Sequence, residues 1–196
     1  VGVDVGPGLR RLRYDEALVL QTILAQRRAA AAQSPSVPRI ARPDGLLAAF
    51  DARLPFELTA GQHEVSAALM ADLARPHPMQ RLLQGEVGSG KTVVAVRAML
   101  AVIDAGGQAA LLAPTEVLAA QHFRSIRSLL GPLATAGMLP FGGHEEGSMP
   151  ATSVALLTGS QGAAERRTAL AAIASGGAGI VVGTHALIQR HVEFDD

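Results

Sequence analysis

Gly85-Glu86-Val87-Gly88-Ser89-Gly90-Lys91-Thr92 is the stretch that decides the fold. Its spacing, G-x-x-x-x-G-K-[ST], marks a phosphate-binding loop when a strand precedes it and a helix follows. Glycines let the backbone curl until several N–H groups face one anion. A helix starting at Lys91 adds the positive end of its dipole. Lys91 can then reach the β- and γ-phosphates as a compact charge, and Thr92 can offer its hydroxyl to Mg²⁺. These two are the expected catalytic residues, and Gly85 to Thr92 the expected ATP cradle. The chain holds 17 basic residues, and Lys91 is its single lysine. A chain that otherwise uses arginine keeps the small ammonium where a phosphate needs a point charge. The competing reading is an ordinary glycine-rich turn before a structural helix.

The surroundings supply the required context. Arg81 to Gln84 reads as a short strand, and Lys91 to Ala105 as a helix closed by Gly106-Gly107. Upstream, Thr59 reads as the N-cap of a helix over Ala60 to Ala74, stopped by Pro76 and Pro78. Downstream come a strand at Gln108 to Ala113, a helix at Glu116 to Leu130 and a loop at Gly142 to Thr152. A strand at Val154 to Leu157, a helix at Ala163 to Ser175 and a strand at Gly179 to Val182 follow. Near-continuous apolar strands alternating with helices predict an α/β fold, a parallel sheet covered on both faces. Before it, Asp15 to Ala32 reads as a helix whose apolar side holds Leu18, Leu20, Ile23 and Leu24. Pro35, Pro38 and Pro43 make Gln33 to Asp44 a linker. The expected division is therefore residues 1–44 and 45–196.

Composition bounds the rest. The 196 residues suffice for one α/β domain with an appendage, and 48% are hydrophobic. No apolar run is long enough to span a bilayer. Without cysteine there is neither a disulfide framework nor a thiolate metal site. The expectation is a cytoplasmic monomer away from membranes. Net charge is zero and aromatics are 3%, so any DNA contact is local and does not depend on base stacking. The six histidines lack metal-ligand spacing, since His63-Glu64 has no second histidine four positions on. His144-Glu145-Glu146 reads as a solvated part of the 142–152 loop. The first residue, Val1, and the final Asp195-Asp196 suggest a piece of a longer chain.

Further motifs carry a resemblance. Leu54-Pro55-Phe56-Glu57-Leu58-Thr59-Ala60-Gly61-Gln62 resembles the adenine-reading motif of superfamily 2 helicases. Ala113-Pro114-Thr115-Glu116-Val117-Leu118-Ala119-Ala120-Gln121-His122 resembles their motif Ia. Leu157-Thr158-Gly159-Ser160 and Gly183-Thr184-His185-Ala186-Leu187-Ile188-Gln189 resemble the next two DNA-facing motifs. The resemblance covers about residues 50–196 and implies a RecA-like P-loop NTPase sheet, here incomplete. Within it, the Gln62 amide has the donors and acceptor to pair with adenine, and Phe56 is expected against the base. Pro114, Thr115, Glu116, Gln121, Thr158, Gly159, Ser160, Gly183, Thr184 and His185 are expected on the DNA backbone. Strand ends and helix starts suit phosphate contact without base reading. The plain alternatives are a capped helix start at Gln62 and ordinary structural N-caps at the other sites.

The function implied is ATP-driven translocation on duplex that remodels stalled forks and Holliday junctions in recombination and repair. Leu157 to Ser160 and Ser89 favour this branched-DNA group over a transcription-repair coupling translocase. A small-molecule P-loop kinase fits poorly, because Ala-Pro-Thr-Glu follows where a lid would be. A non-catalytic nucleotide-binding module stays open for the chain by itself. Two departures stand out. Glu86 replaces the Asp usual in these helicases. The Asp-Glu-x-His strand end that holds Mg²⁺ and activates water has no counterpart in these residues. By itself the chain is expected to hold nucleotide weakly and not to turn it over.

Overall fold

A computed structural model describes residues 6–134, 150–189 and 192–195. The chain divides into two compact units. One comprises Val1–Pro38 with Arg75–Gln80, the other Arg39–Ala74 with Arg81–Asp196.

In the first unit, α1 runs Gly6–Gln33, nine residues longer at its start than Asp15 foretold. Pro7 lies in the first turn, where its missing N–H costs nothing. Arg11 pairs with Asp15 one turn on, at 3.1 Å. Leu18, Leu20 and Ile23 are exposed. The Ser36 N–H bonds to the Pro76 carbonyl at 3.0 Å and fastens the two stretches of this unit.

The second unit carries the sheet. Its described helices are α2 (Leu46–Asp51), α3 (Ala60–Leu73), α4 (Lys91–Asp104), α5 (Glu116–Leu130) and α6 (Ala163–Ala174). Its strands are β1 (Ala109–Leu112), β2 (Ser153–Leu157) and β3 (Ala178–Gly183). All pairings are parallel, in the order β1-β3-β2. Leu112 and Leu157 both stand level with Gly183, so the three strands end together at one carboxyl edge.

Alternation along β3 feeds two cores. Ile180 and Val182 pack with Val96 and Leu100 of α4 and with Ile126 and Leu130 of α5. Val181 packs on the other side with Ile173 of α6, Leu157 and Leu187. Helices thus cover both faces, as the continuous apolar strands required. Each fully buried aliphatic chain there contributes on the order of 2 kcal/mol of burial.

One expected strand is missing. Arg81 to Gln84 joins no strand among the described residues, and Leu82 is 89% exposed. A strand exists only through its ladder, and two leucines cannot supply a neighbour. The segment is instead pinned by Arg81, which pairs with Asp72 of α3 and is thereby held above its ordinary basicity. The short α2 was not foreseen. Its first N–H groups, on Leu46 and Leu47, bond to the Asp104 carboxylate at 2.6 and 3.1 Å. A side chain at Gly45 would run into that carboxylate. Of the expected 142–152 loop, residues 142–149 lie outside the described residues. Thr152 makes a parallel bridge to Ala134.

Candidate functional site

The phosphate-loop residues sit where α4 begins. Because α4 leads into the start of β1, its N-terminus lies toward the carboxyl edge of the sheet. Gly88 and Gly90 have φ of +85° and +81°, a region closed to most side chains. Gly90 ends the loop in this conformation, and no side chain caps α4. The Val93 and Val94 amides turn back onto the Gly90 carbonyl, which leaves those of Lys91 and Thr92 without a helical partner or a side-chain cap among the described residues. This is the donor set an anion requires.

Lys91 lies across this loop. Its Nζ donates to the carbonyls of Gly85 and Glu86, at 2.7 and 2.5 Å. Both acceptors are neutral, so the ammonium is attached but not neutralised. Thr92 is half-buried one residue further on.

Gln62 is neither solvent-facing nor a simple cap. Its Oε1 accepts the Thr59 N–H at 2.9 Å, while the Thr59 hydroxyl accepts from the Gln62 N–H, which completes a capping box for α3. Its Nε2 donates to the Ser89 carbonyl at 2.9 Å. The residue bridges α3 to the phosphate loop, and pairing with a base requires it to exchange these bonds. Any side chain at Gly90 would strike this amide.

Phe56 is 46% exposed and lines a cleft of about 530 Å³ together with Asp51, Leu58 and His63. Neither Gln62 nor residues 85–92 line that cleft. Asp51 also takes a two-pronged bond from Arg97 of α4, 2.8 Å on each side. Arg97 thus links the cleft to the helix that starts at Lys91, and its second terminal nitrogen is buried without a partner.

The remaining candidates gather at the carboxyl edge, one loop per strand. After β1, Pro114 and Thr115 are exposed, and the Thr115 hydroxyl caps α5 by accepting the Leu118 N–H at 3.3 Å. Gln121 is exposed on α5. After β2, Gly159 and Ser160 are exposed but Thr158 is buried. The Glu116 carboxylate accepts the Ser160 N–H at 3.0 Å and also the Ser160 hydroxyl. The Ser160 hydroxyl above all, helped by the Ser160 and Gly159 backbone and the nearby His185, holds the Glu116 carboxyl below its ordinary value against an opposing desolvation. After β3, Gly183 is packed against the Leu157 backbone and Thr184 is 2% exposed, its hydroxyl without a partner among the described residues. His185 is exposed. The edge therefore presents Pro114, Thr115, Gly159, Ser160 and His185 outward, while Thr158, Gly183 and Thr184 support from beneath.

Several supporting residues escaped the sequence reading. Asp104, Arg97 and Gln161 act across the fold or by backbone capture and carry no local signal. The Gln161 Oε1 accepts the Thr158 N–H at 2.9 Å, and its amide donates to the Leu156 carbonyl at 2.9 Å. No cluster of three or more acidic or histidine ligands exists among the described residues. No helix among them is long and apolar enough to cross a membrane.

Comparison with known proteins agrees with this geometry. The family model of the DEAD/DEAH box helicases matches residues 59–196. The chain is 56% identical over 184 residues to the ATP-dependent DNA helicase RecG of Mycobacterium tuberculosis (strain ATCC 25618 / H37Rv), covering 94% of this chain and 24% of that protein. It is 45% identical over 186 residues to the ATP-dependent DNA helicase RecG of Synechocystis sp. (strain ATCC 27184 / PCC 6803 / Kazusa), covering 94% of this chain and 20% of that one. Among solved structures, that of RecG bound to a three-way DNA junction matches with a TM-score of 0.79 and 35% identity, over 95% of this chain and 23% of the other. The chain thus spans about a quarter of the length of the relatives it matches. The sheet is an incomplete RecA-like α/β fold, and the chain belongs to the DEAD/DEAH box helicase family.

Proposed function

We propose that this DEAD/DEAH box helicase chain is the ATP-binding part of an ATP-dependent DNA helicase that remodels branched DNA. The supporting observation is the meeting of two features at one edge. A lysine lies across a helix start without a side-chain cap, and three strands followed by polar loops end level at the carboxyl edge toward which that helix start lies. Residues 45–196 form the N-terminal part of the motor domain on this reading, and residues 1–44 its leading helix and linker.

The residues fit a nucleoside triphosphate. The amides around Gly88 to Thr92 would take phosphate oxygens, and Lys91 would exchange its two carbonyl partners for charged ones. Thr92 would hold Mg²⁺, which supplies charge neutralisation at the phosphates, and the nucleotide would complete its coordination. Gln62 would read adenine and Phe56 would pack on it. Lys91 and Thr92 touch the reacting group and are the catalytic residues on this reading, while water activation falls to groups elsewhere. Pro114, Thr115, Gln121, Gly159, Ser160 and His185 would meet the DNA backbone, with Glu116, Thr158, Gly183 and Thr184 behind them. Exposed polar tips without aromatic platforms suit phosphate contact independent of sequence. We further propose a monomer working in the cytoplasm.

The test is DNA-stimulated ATP hydrolysis by a full-length helicase that carries this chain. Stimulation by branched DNA above linear duplex is expected. Absence of any DNA response contradicts the reading, and a response only in the presence of RNA polymerase points to a transcription-repair coupling translocase.

A further inference from the structure

We infer that Glu116 is a positioning residue whose carboxylate locks the Thr158–Ser160 loop to the start of α5, so that two loops meet DNA as one rigid surface. This rests on the proposed reading of those loops as DNA contacts.

Both hydrogen donors of Ser160, its N–H and its hydroxyl, end on the two oxygens of this one side chain, 44 residues away in sequence. A Cβ at Gly159 would stand 3.1 Å from Glu116 Oε1, so a small residue there lets the carboxylate lie close. The other end of the loop is fastened as well, because Gln161 takes the Thr158 N–H and donates to the Leu156 carbonyl. Arg166 adds a bond to the Thr158 carbonyl at 3.3 Å. Glu116 is the first residue of α5, where the helix dipole favours a negative side chain.

These bonds change what the edge offers. With the Ser160 donors taken by Glu116, the exposed polar residues left at this edge are Thr115 and His185. Glu116 thus directs its charge at Ser160. Two loops that are fixed before DNA arrives lose little conformational freedom on binding. The rival role for the same geometry is a plug: the carboxylate sits on donors a phosphate would otherwise take, and removing it strengthens DNA binding.

A full-length helicase carrying this chain separates these roles. Amide hydrogen exchange and DNA-stimulated ATP hydrolysis are compared for the wild type, Glu116→Ala, Glu116→Gln, Ser160→Ala and the Glu116→Ala/Ser160→Ala pair. Glu116→Ala is expected to speed exchange at Gly159 and Ser160 and to raise the half-saturating DNA concentration about tenfold. The loss falls in half-saturation rather than in the maximal rate. Glu116→Gln, which keeps one acceptor for the Ser160 N–H, recovers part of it. The double variant is scarcely worse than Glu116→Ala, because both changes cut one tie. Unchanged exchange, or faster exchange with unchanged or tighter DNA half-saturation, overturns the inference. If Glu116→Ala does not fold, Glu116→Gln and Ser160→Ala carry the same comparison. A wild type that ignores DNA overturns the proposed function, and exchange at Gly159 and Ser160 still reports on the lock.

Discussion

The phosphate loop and the Thr158–Ser160 loop satisfy their donors in opposite ways. In the first, Lys91 rests on the carbonyls of Gly85 and Glu86, and Gln62 rests on that of Ser89. In the second, Ser160 rests on the Glu116 carboxylate. Each set of bonds has one charged partner, but the carbonyls under Lys91 carry no counter-charge, which a phosphate oxygen would bring. The phosphate loop is therefore closed by bonds that a triphosphate can outbid, whereas the second loop is closed by one that holds. One region is built to exchange partners and the other to keep them.

The largest effect should come from breaking the exchanging loop. Gly90→Val forces a β-branched residue to φ +81° and drives it into the Gln62 amide. The backbone strain alone is about 2 kcal/mol, and nucleotide affinity should fall on the order of a hundredfold. Titration with a fluorescent ATP analogue checks this, and retained affinity would show that loop curvature is not what binds.

Next is the other carboxylate clamp. Asp104→Ala leaves the Leu46 and Leu47 amides without acceptors and should cost about 2 kcal/mol in chemical unfolding. Nucleotide affinity should hold. A matching loss of affinity would mean that α2 and the phosphate loop are not separable.

Gln62→Ala removes the capping box and the bridge to Ser89, for about 1 kcal/mol of stability. It should also narrow the preference for ATP over GTP, measured by competition. An unchanged preference would leave Gln62 as a cap and a brace only.

The smallest effect lies in acid. The Glu116 carboxyl titrates below its ordinary 4.5 when folded, chiefly through the Ser160 hydroxyl. Its tie is thus fully present above that value and is lost as pH falls through the lowered one. Glu116→Gln should flatten the acid limb of thermal stability below about pH 4.5 relative to wild type. Parallel acid limbs would remove the electrostatic part of the lock.

How much of this was legible follows from distance along the chain. The Thr59–Gln62 box, the Glu116–Leu130 helix and the curl at Gly88 and Gly90 are set within a few residues, and their signals are local. The Arg81–Gln84 strand was misread because a strand is defined by a partner that local sequence does not contain. Asp104 reaches α2 across 58 residues in sequence, and Glu116 reaches Ser160 across 44. The resemblance of their motifs puts Glu116 and Ser160 separately on DNA. Only the folded chain shows that they bond to each other. Likewise Thr184 has the residue type of a phosphate contact, yet it lies beneath the edge.

On the proposed function, the backbone amides and Lys91 grip a nucleoside triphosphate. Calorimetric titration of ATP with Mg²⁺ into wild type and Lys91→Ala, in a full-length helicase carrying this chain, tests it most directly. Saturable binding is expected for wild type, with a loss on the order of a hundredfold in the variant. Equal affinity in the two proteins would contradict it.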